Sequence, residues 1–143
     1  MAIPQLSVFL ENRPGHMKRI LNALEAARIN VLGYSASDTG DYGIARFILD
    51  KPEAALDVLR AEGCAVTLTE VLCVHLPNKP GELARVIGAI ADASINVQYS
   101  YSLISNVIAI YAEDIPSTEA ALRGQPIELV SLEAVASRFS SCD

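Results

Sequence analysis

The chain has 143 residues, 51% of them hydrophobic and 20% charged, a composition that excludes disordered, collagen-like and disulfide-framework proteins. A formal net charge of −6 supplies no global field for nucleic acid or an anionic lipid surface. At this length the chain can bury one sizeable core or two small ones, and a large multidomain enzyme is excluded.

Cys64, Cys73 and Cys142 are odd in number and form no C-x-x-C pair, which argues against a secreted disulfide scaffold, a zinc ribbon and a thioredoxin-like motif, and places the protein in a reducing cytoplasm. The opening MAIPQLSVFLENR has no basic segment, long apolar run or small-residue cleavage site, so no signal peptide is expected. Twenty uncharged positions run from Ala93 to Ala112, long enough to span a bilayer as a helix. Ser94, Asn96, Gln98, Ser100 and Asn106 interrupt them, and the stretch reads instead as strand, turn and strand.

The sequence repeats itself. Asn12-Arg13-Pro14-Gly15 returns as Asn78-Lys79-Pro80-Gly81 and Ile29-Asn30-Val31 as Ile95-Asn96-Val97, both at an offset of 66, with nine of twenty positions identical between Asn12 and Val31. Past the following hairpin the best identity lies at an offset of 64, which sets Ile44-Ala45 on Ile108-Ala109, Phe47 on Tyr111 and Asp50 on Asp114. A duplication with a two-residue deletion in one loop accounts for both offsets.

In chain order, Leu6, Val8 and Leu10 alternate with Gln5, Ser7 and Phe9, the period of a strand. Met17, Ile20, Leu21, Leu24 and Ala27 then recur at helical spacing. Asn12 is suited to cap that helix, with Pro14 in its first turn, where a missing N–H costs nothing. The helix ends near Arg28. Val31 to Ser37 and Tyr42 to Leu49 flank Asp38-Thr39-Gly40 as a hairpin. Pro52 starts a second helix that Gly63 stops, and Cys64 to Thr69 form a last strand.

The second copy follows the same order. Leu72, Val74 and Leu76 mark a strand, and Leu83, Val86, Ile87, Ile90 and Ala93 a helix capped by Asn78, with Pro80 in its first turn and its end near Ser94. Val97 to Leu103 and Val107 to Tyr111 make a hairpin, Pro116 to Gly124 bounds a helix, and Ile127 to Leu132 form a final strand. The fold class is therefore α+β: two ferredoxin-like βαββαβ modules in tandem, residues 1–69 and 70–143, each an antiparallel sheet with helices on one face. No Pro-, Gly- or Ser-rich linker separates them, so a rigid pseudo-twofold body is expected.

Candidate chemistry is sparse. His16 and His75 do not recur between copies, no carboxylate pair has catalytic or metal spacing, and no phosphate-binding glycine loop is present. No catalytic residue, metal or cofactor is expected. Arg13, Lys18, Arg19 and Arg28 make a small basic run, but from Glu70 onward four Lys and Arg face nine Asp and Glu, so no nucleic-acid partner is expected, nor a membrane.

What remains is the repeated turn. In both copies a strand leads through Asn-basic-Pro-Gly into a helix, whose first N–H groups and positive dipole end suit a carboxylate. Gly15 and Gly81 lack a Cβ, which would let an anion approach the backbone. The turn is equally explicable as punctuation. Asn30 and Asn96 stand at the entry to the next strand, where an amide can donate and accept, and bonding the local backbone is its alternative role. A helix start facing such a strand would grip both ends of an amino acid.

The pattern Asn-x-Pro-Gly-x-hydrophobic, a helix, then Ile-Asn-Val within a βαββαβ unit resembles the ACT domain, an amino-acid-sensing module, and from about Gln5 to about Leu132 the chain is similar to stand-alone tandem ACT-domain proteins. The resemblance implies a ligand, usually an amino acid, where the first loop and helix of one module meet the second strand of its partner. Carried onto this sequence it points to Asn12, Pro14, Gly15, His16 and Met17 with Asn30, Val31 and Tyr34. In the second copy it points to Asn78, Pro80, Gly81, Glu82 and Leu83 with Asn96, Val97 and Tyr99. Many family members carry Asp where Asn12 and Asn78 stand.

The implied function is a non-catalytic, cytoplasmic regulatory protein that binds an amino acid or similar small carboxylate at the interface of its two modules and acts on a separate metabolic enzyme or by self-association, for example as a homodimer. The length leaves no room for an appended catalytic domain. Two alternatives stand beside it. One is a structural interaction subunit whose loops hold nothing. The other is a small ferredoxin-like enzyme using Arg13 or Arg46 with an Asn to handle an acyl phosphate or similar anion.

Overall fold

The computed structural model describes residues 2–11, 13–38 and 42–140, with the backbone alone at 138–140. Along the chain run β1 (Ile3–Glu11), α1 (His16–Ala26), β2 (Val31–Asp38), β3 (Tyr42–Leu49), α2 (Pro52–Ala61), β4 (Val66–His75), α3 (Glu82–Asp92), β5 (Val97–Ser102), β6 (Val107–Ala112), α4 (Ile115–Arg123), β7 (Glu128–Leu129) and α5 (Leu132–Ser140). Two compact units form, one from Pro4 to Thr69 and the other from Glu70 onward together with the residues before Pro4. Each has the βαββαβ order.

In the first unit β3 pairs antiparallel with β1 on one side and β2 on the other. The chain entering β4 lies against β1, where Phe9 N–H donates to the Ala65 carbonyl at 3.0 Å. Leu6 opposes Phe47 and Val8 opposes Ala45, so one sheet face carries Leu6, Val8, Ala45 and Phe47. Against that face pack Ile20 and Leu24 of α1 and Ala55 and Leu59 of α2, all buried. A fully buried Leu, Ile or Phe contributes about 1.5–3 kcal/mol, so the period-2 strands and the helical stripes bind the unit to one geometry.

The second unit repeats this with β7, β4, β6 and β5 side by side. Its core is Leu72, Val74, Ile108 and Ile110 under Val86, Ile90 and Leu122. The faces turned away from the helices are not bare: Gln5 and Ile48 in one unit and Val71, Cys73 and Ala109 in the other are buried. The uncharged stretch that begins at Ala93 holds the β5–β6 hairpin, whose turn places Ser105 and Asn106 at φ +60 and +58.

Both first helices end in the same way. Arg28 N–H donates to the Glu25 carbonyl and Ile29 N–H to that of Leu24, and Ser94 and Ile95 do the same to Ala91 and Ile90. These are paired 5→2 and 6→1 bonds around a left-handed residue, here Arg28 at φ +58 and Ser94 at φ +59. The apolar residues after them, Ile29 and Ile95, fold back onto the cores.

Three expectations need correction. The repeat offset past the hairpin is 63. Leu6 faces Phe47 and Leu72 faces Ile110, so the equivalent of Phe47 is Ile110, and Tyr111 answers to Ile48. A one-residue slip moves every strand side chain to the other face, and burial on the helix side selected Ile110 over the aromatic match. Second, the last strand of the first copy and the first of the second form one strand, β4. Third, the final strand of the second copy is only β7, two residues long, and α5 follows where extended chain was expected to Leu132.

Candidate functional site

The repeated turn has the same geometry twice. Gly15 at φ +90 and Gly81 at φ +87 are the N-caps of α1 and α3, and among the described residues neither helix has a side-chain cap. Their carbonyls accept the first helical bonds, from Arg19 N–H and Arg85 N–H, each at 3.0 Å. Pro14 and Pro80 therefore precede the caps instead of lying in the first turn. Asn78 is exposed and does not cap, and Asn12 lies outside the described residues. A Cβ on either glycine would meet nothing within 4 Å. Glycine is required here by its positive φ, not by crowding.

With no side-chain cap, the backbone N–H groups of Met17 and Lys18, and of Leu83 and Ala84, have no acceptor among the described residues. The start of α4 shows what such groups accept. There the Asp114 carboxylate takes hydrogen bonds from Ser117 N–H at 3.1 Å and Ser117 Oγ at 2.7 Å. The Ser117 hydroxyl first, and then its backbone N–H, hold the Asp114 carboxyl below its ordinary value. Among the described residues the starts of α1 and α3 have no such capping carboxylate, and open concavities border the turn before α1 and the start of α3. One of about 450 Å³ includes Arg13, Pro14, Asp38 and Gly43, and one of about 320 Å³ includes Lys79, Gly81, Glu82, Leu83 and Asn106.

His16 and Glu82 occupy the same helical position for different reasons. Glu11 N–H donates to His16 Nδ1 at 2.9 Å, which ties the end of β1 to the first turn of α1 and buries His16 to 8% exposure. At an offset of 66 the partner of Glu11 is Pro77, which has no N–H to satisfy. Glu82 is thereby released from that task and instead pairs with Arg85. Met17 is half-buried against the first core, whereas Leu83 is exposed.

The other predicted residues lie elsewhere in each unit. Asn30, Val31, Asn96 and Val97 follow the far ends of α1 and α3, and an 11-residue helix is about 16 Å long. Asn30 and Asn96 border separate concavities of about 450 and 570 Å³. A grip on both ends of one amino acid by a helix start and its own Asn is therefore not formed within either unit. Asn30 uses its backbone, donating to Asp50 Oδ1 at 2.9 Å while its carbonyl accepts from Asp50 N–H at 3.2 Å, and its side chain is exposed. Val31 and Val97 pack against the two cores beside matching irregularities in β2 and β5.

Tyr34 and Tyr99 are not equivalents. Tyr34 opposes the core residue Phe47 and stacks on it with ring centroids 6.4 Å apart, remaining 58% exposed. Tyr99 opposes Tyr111, off the core face, and stacks on it at 4.9 Å. Sequence reasoning missed a third concavity in the first unit, of about 370 Å³, which brings Arg19, Tyr42 and Cys64 to His16. The change from Glu11 and His16 to Pro77 and Glu82 was the available signal for it. Among the described residues no group of three or more His, Cys, Asp and Glu is placed to hold a metal ion, and no helix is long and apolar enough to cross a membrane.

The family described as an ACT domain pair matches residues 1–130. Among solved structures, a protein from Bacteroides thetaiotaomicron is 29% identical, with a TM-score of 0.89 over 94% of this chain and 96% of that one. The ligand-free regulatory subunit of aspartate kinase from Thermus thermophilus is 22% identical, with a TM-score of 0.63 over 84% and 88%. That of Thermus flavus is 19% identical, with a TM-score of 0.59 over 95% and 92%. The last two share the fold. No curated protein matches the sequence.

Proposed function

The chain belongs to the ACT-domain family, as an ACT domain pair, and on that premise we propose that it is a non-catalytic regulatory protein of the cytoplasm that binds a small carboxylate, an amino acid above all, at the starts of α1 and α3. One observation carries the reading. Two helices of 11 residues begin at left-handed glycines with no side-chain cap, and a third, α4, fills the same need with its own carboxylate. A ligand carboxylate at the first two would accept from Met17 and Lys18 or from Leu83 and Ala84 and meet the positive end of the helix dipole. The aspartate kinase regulatory subunits of like fold support a regulatory role. The protein would act on a separate enzyme or through self-association.

A thermal-shift screen against the common amino acids, followed by amide NMR of any stabilising compound, tests this. Ligand at 100 times its Kd stabilises a fold by about 2.7 kcal/mol, and the amides of Met17, Lys18, Leu83 and Ala84 should move on binding. No stabilisation by any amino acid at millimolar concentration would reject the proposal and leave a structural interaction subunit. Stabilisation with all four amides unmoved would reject the site.

A further inference from the structure

The concavity beside α1 in the first unit holds one buried hydrogen-bond donor with no acceptor among the described residues, with an arginine beside it. It is lined by Phe9, Glu11, His16, Arg19, Tyr42 and Cys64, among others. Because His16 Nδ1 accepts from Glu11 N–H, the neutral ring carries its proton on Nε2. Nε2–H has no acceptor among the described residues, although His16 is more than nine-tenths buried. Among the described residues Arg19 makes one hydrogen bond, a long one of 3.4 Å from Nη2 to the Glu62 carbonyl, and no ion pair. The Glu11 carboxylate, also on the pocket's lining, pairs instead with Arg13 Nε at 3.1 Å.

In the second unit the equivalent arginine has an internal partner. Arg85, the equivalent of Arg19, pairs with Glu82, the equivalent of His16. His75, the equivalent of Phe9, pairs through Nδ1 with Glu128 at 3.3 Å. Replacing that acid by His16 removes the internal partner of the guanidinium and adds a buried donor. Phe9 and Tyr42, both partly exposed, bring their rings to 6.0 Å at the rim. A buried donor left unpaired, as His16 Nε2–H is, is costly, and the volume of about 370 Å³ is that of a small-molecule site.

We propose that this pocket binds a small organic carboxylate bearing an aromatic or apolar group, with the carboxylate held by His16 Nε2–H and the Arg19 guanidinium and the apolar group laid against Phe9 and Tyr42. One planar guanidinium and one imidazole N–H match the two oxygens of a carboxylate. Neither Met17 nor Lys18 is on the lining of this pocket, so its occupation is read apart from that of the helix-start amides.

Titration of the labelled protein with 3-phenylpropionate, and with 3-phenylpropan-1-ol as its uncharged counterpart, followed by NMR, tests the assignment. The carboxylate should shift the His16 ring nitrogens and the Tyr42 ring saturably, and the alcohol should not. Arg19→Gln, at an exposed position, should weaken binding about tenfold. His16→Asn keeps an acceptor for Glu11 N–H but removes Nε2–H, and should weaken binding similarly. Arg85→Gln should leave it unchanged. Unmoved His16 and Tyr42 rings, equal binding of the alcohol, or full affinity in Arg19→Gln would each overturn the proposal. Movement of the Met17 and Lys18 amides with a silent His16 ring would overturn it too, while supporting the helix-start site.

Discussion

Substituting His16 separates its role as a latch from its bulk. In His16→Ala the Glu11 N–H, which donates to Nδ1 at 2.9 Å, loses its acceptor. A partly buried donor left unsatisfied costs about 1–3 kcal/mol, and loss of the ring's packing adds about 1 kcal/mol. The sum is about 2–4 kcal/mol, or roughly 6–12 °C in Tm at about 3 °C per kcal/mol for a chain of this length. His16→Asn places an amide oxygen close to the position of Nδ1 and should recover all but about 1 kcal/mol. Glu82→Ala, opposite Pro77, removes no acceptor that the backbone needs and should change stability by less than about 0.5 kcal/mol. Urea denaturation gives the three differences, and hydrogen exchange at the Glu11 amide reports the bond directly. Equal losses in His16→Ala and His16→Asn, with unchanged exchange at Glu11, would refute the latch.

Other outcomes follow from the thiols and the α4 cap. Burial pushes the Cys73 thiol up to about 12, so in a Cys142→Ser background a thiol reagent should modify Cys73 only on unfolding. Cys64, raised chiefly by burial with Arg19 opposing, is less enclosed and should react first; the reverse order would contradict the structure. Asp114, held below its ordinary value of 3.8 by Ser117, contributes stability that is complete above that value and disappears as pH falls through its lower folded value. Asp114→Asn should therefore be less stable than the parent at neutral pH, with the gap closing in acid. A gap of constant size in urea melts across that range would show that the carboxylate charge plays no part.

Much of this protein was legible in its residues because the signals are local and occur twice. Alternation at Leu6, Val8, Leu72 and Val74, helical stripes through Ile20, Leu24, Val86 and Ile90, and the Pro-Gly turns before α1 and α3 each act within one element, so the sequence by itself determined βαββαβ twice over and the family. Non-local pairing was not legible. Identity favoured an offset of 64 across the second half, but the buried face of β6 requires Ile110 opposite Leu72, and this makes it 63. The same shift separates Asp50, which closes the ladder at Asn30, from Asp114, which caps a helix, while Tyr34 and Tyr99 are 65 apart in strands whose pairing keeps the offset of 66. The rise of α1 and α3 already puts Asn30 and Asn96 a helix length from the glycine turns, but that the Asn30 backbone is tied to Asp50, twenty residues away, is set by the pairing of β2 with β3. The pocket of His16, Arg19 and Cys64 likewise depends on residues far apart in sequence whose meeting is determined by core packing and leaves no periodic trace.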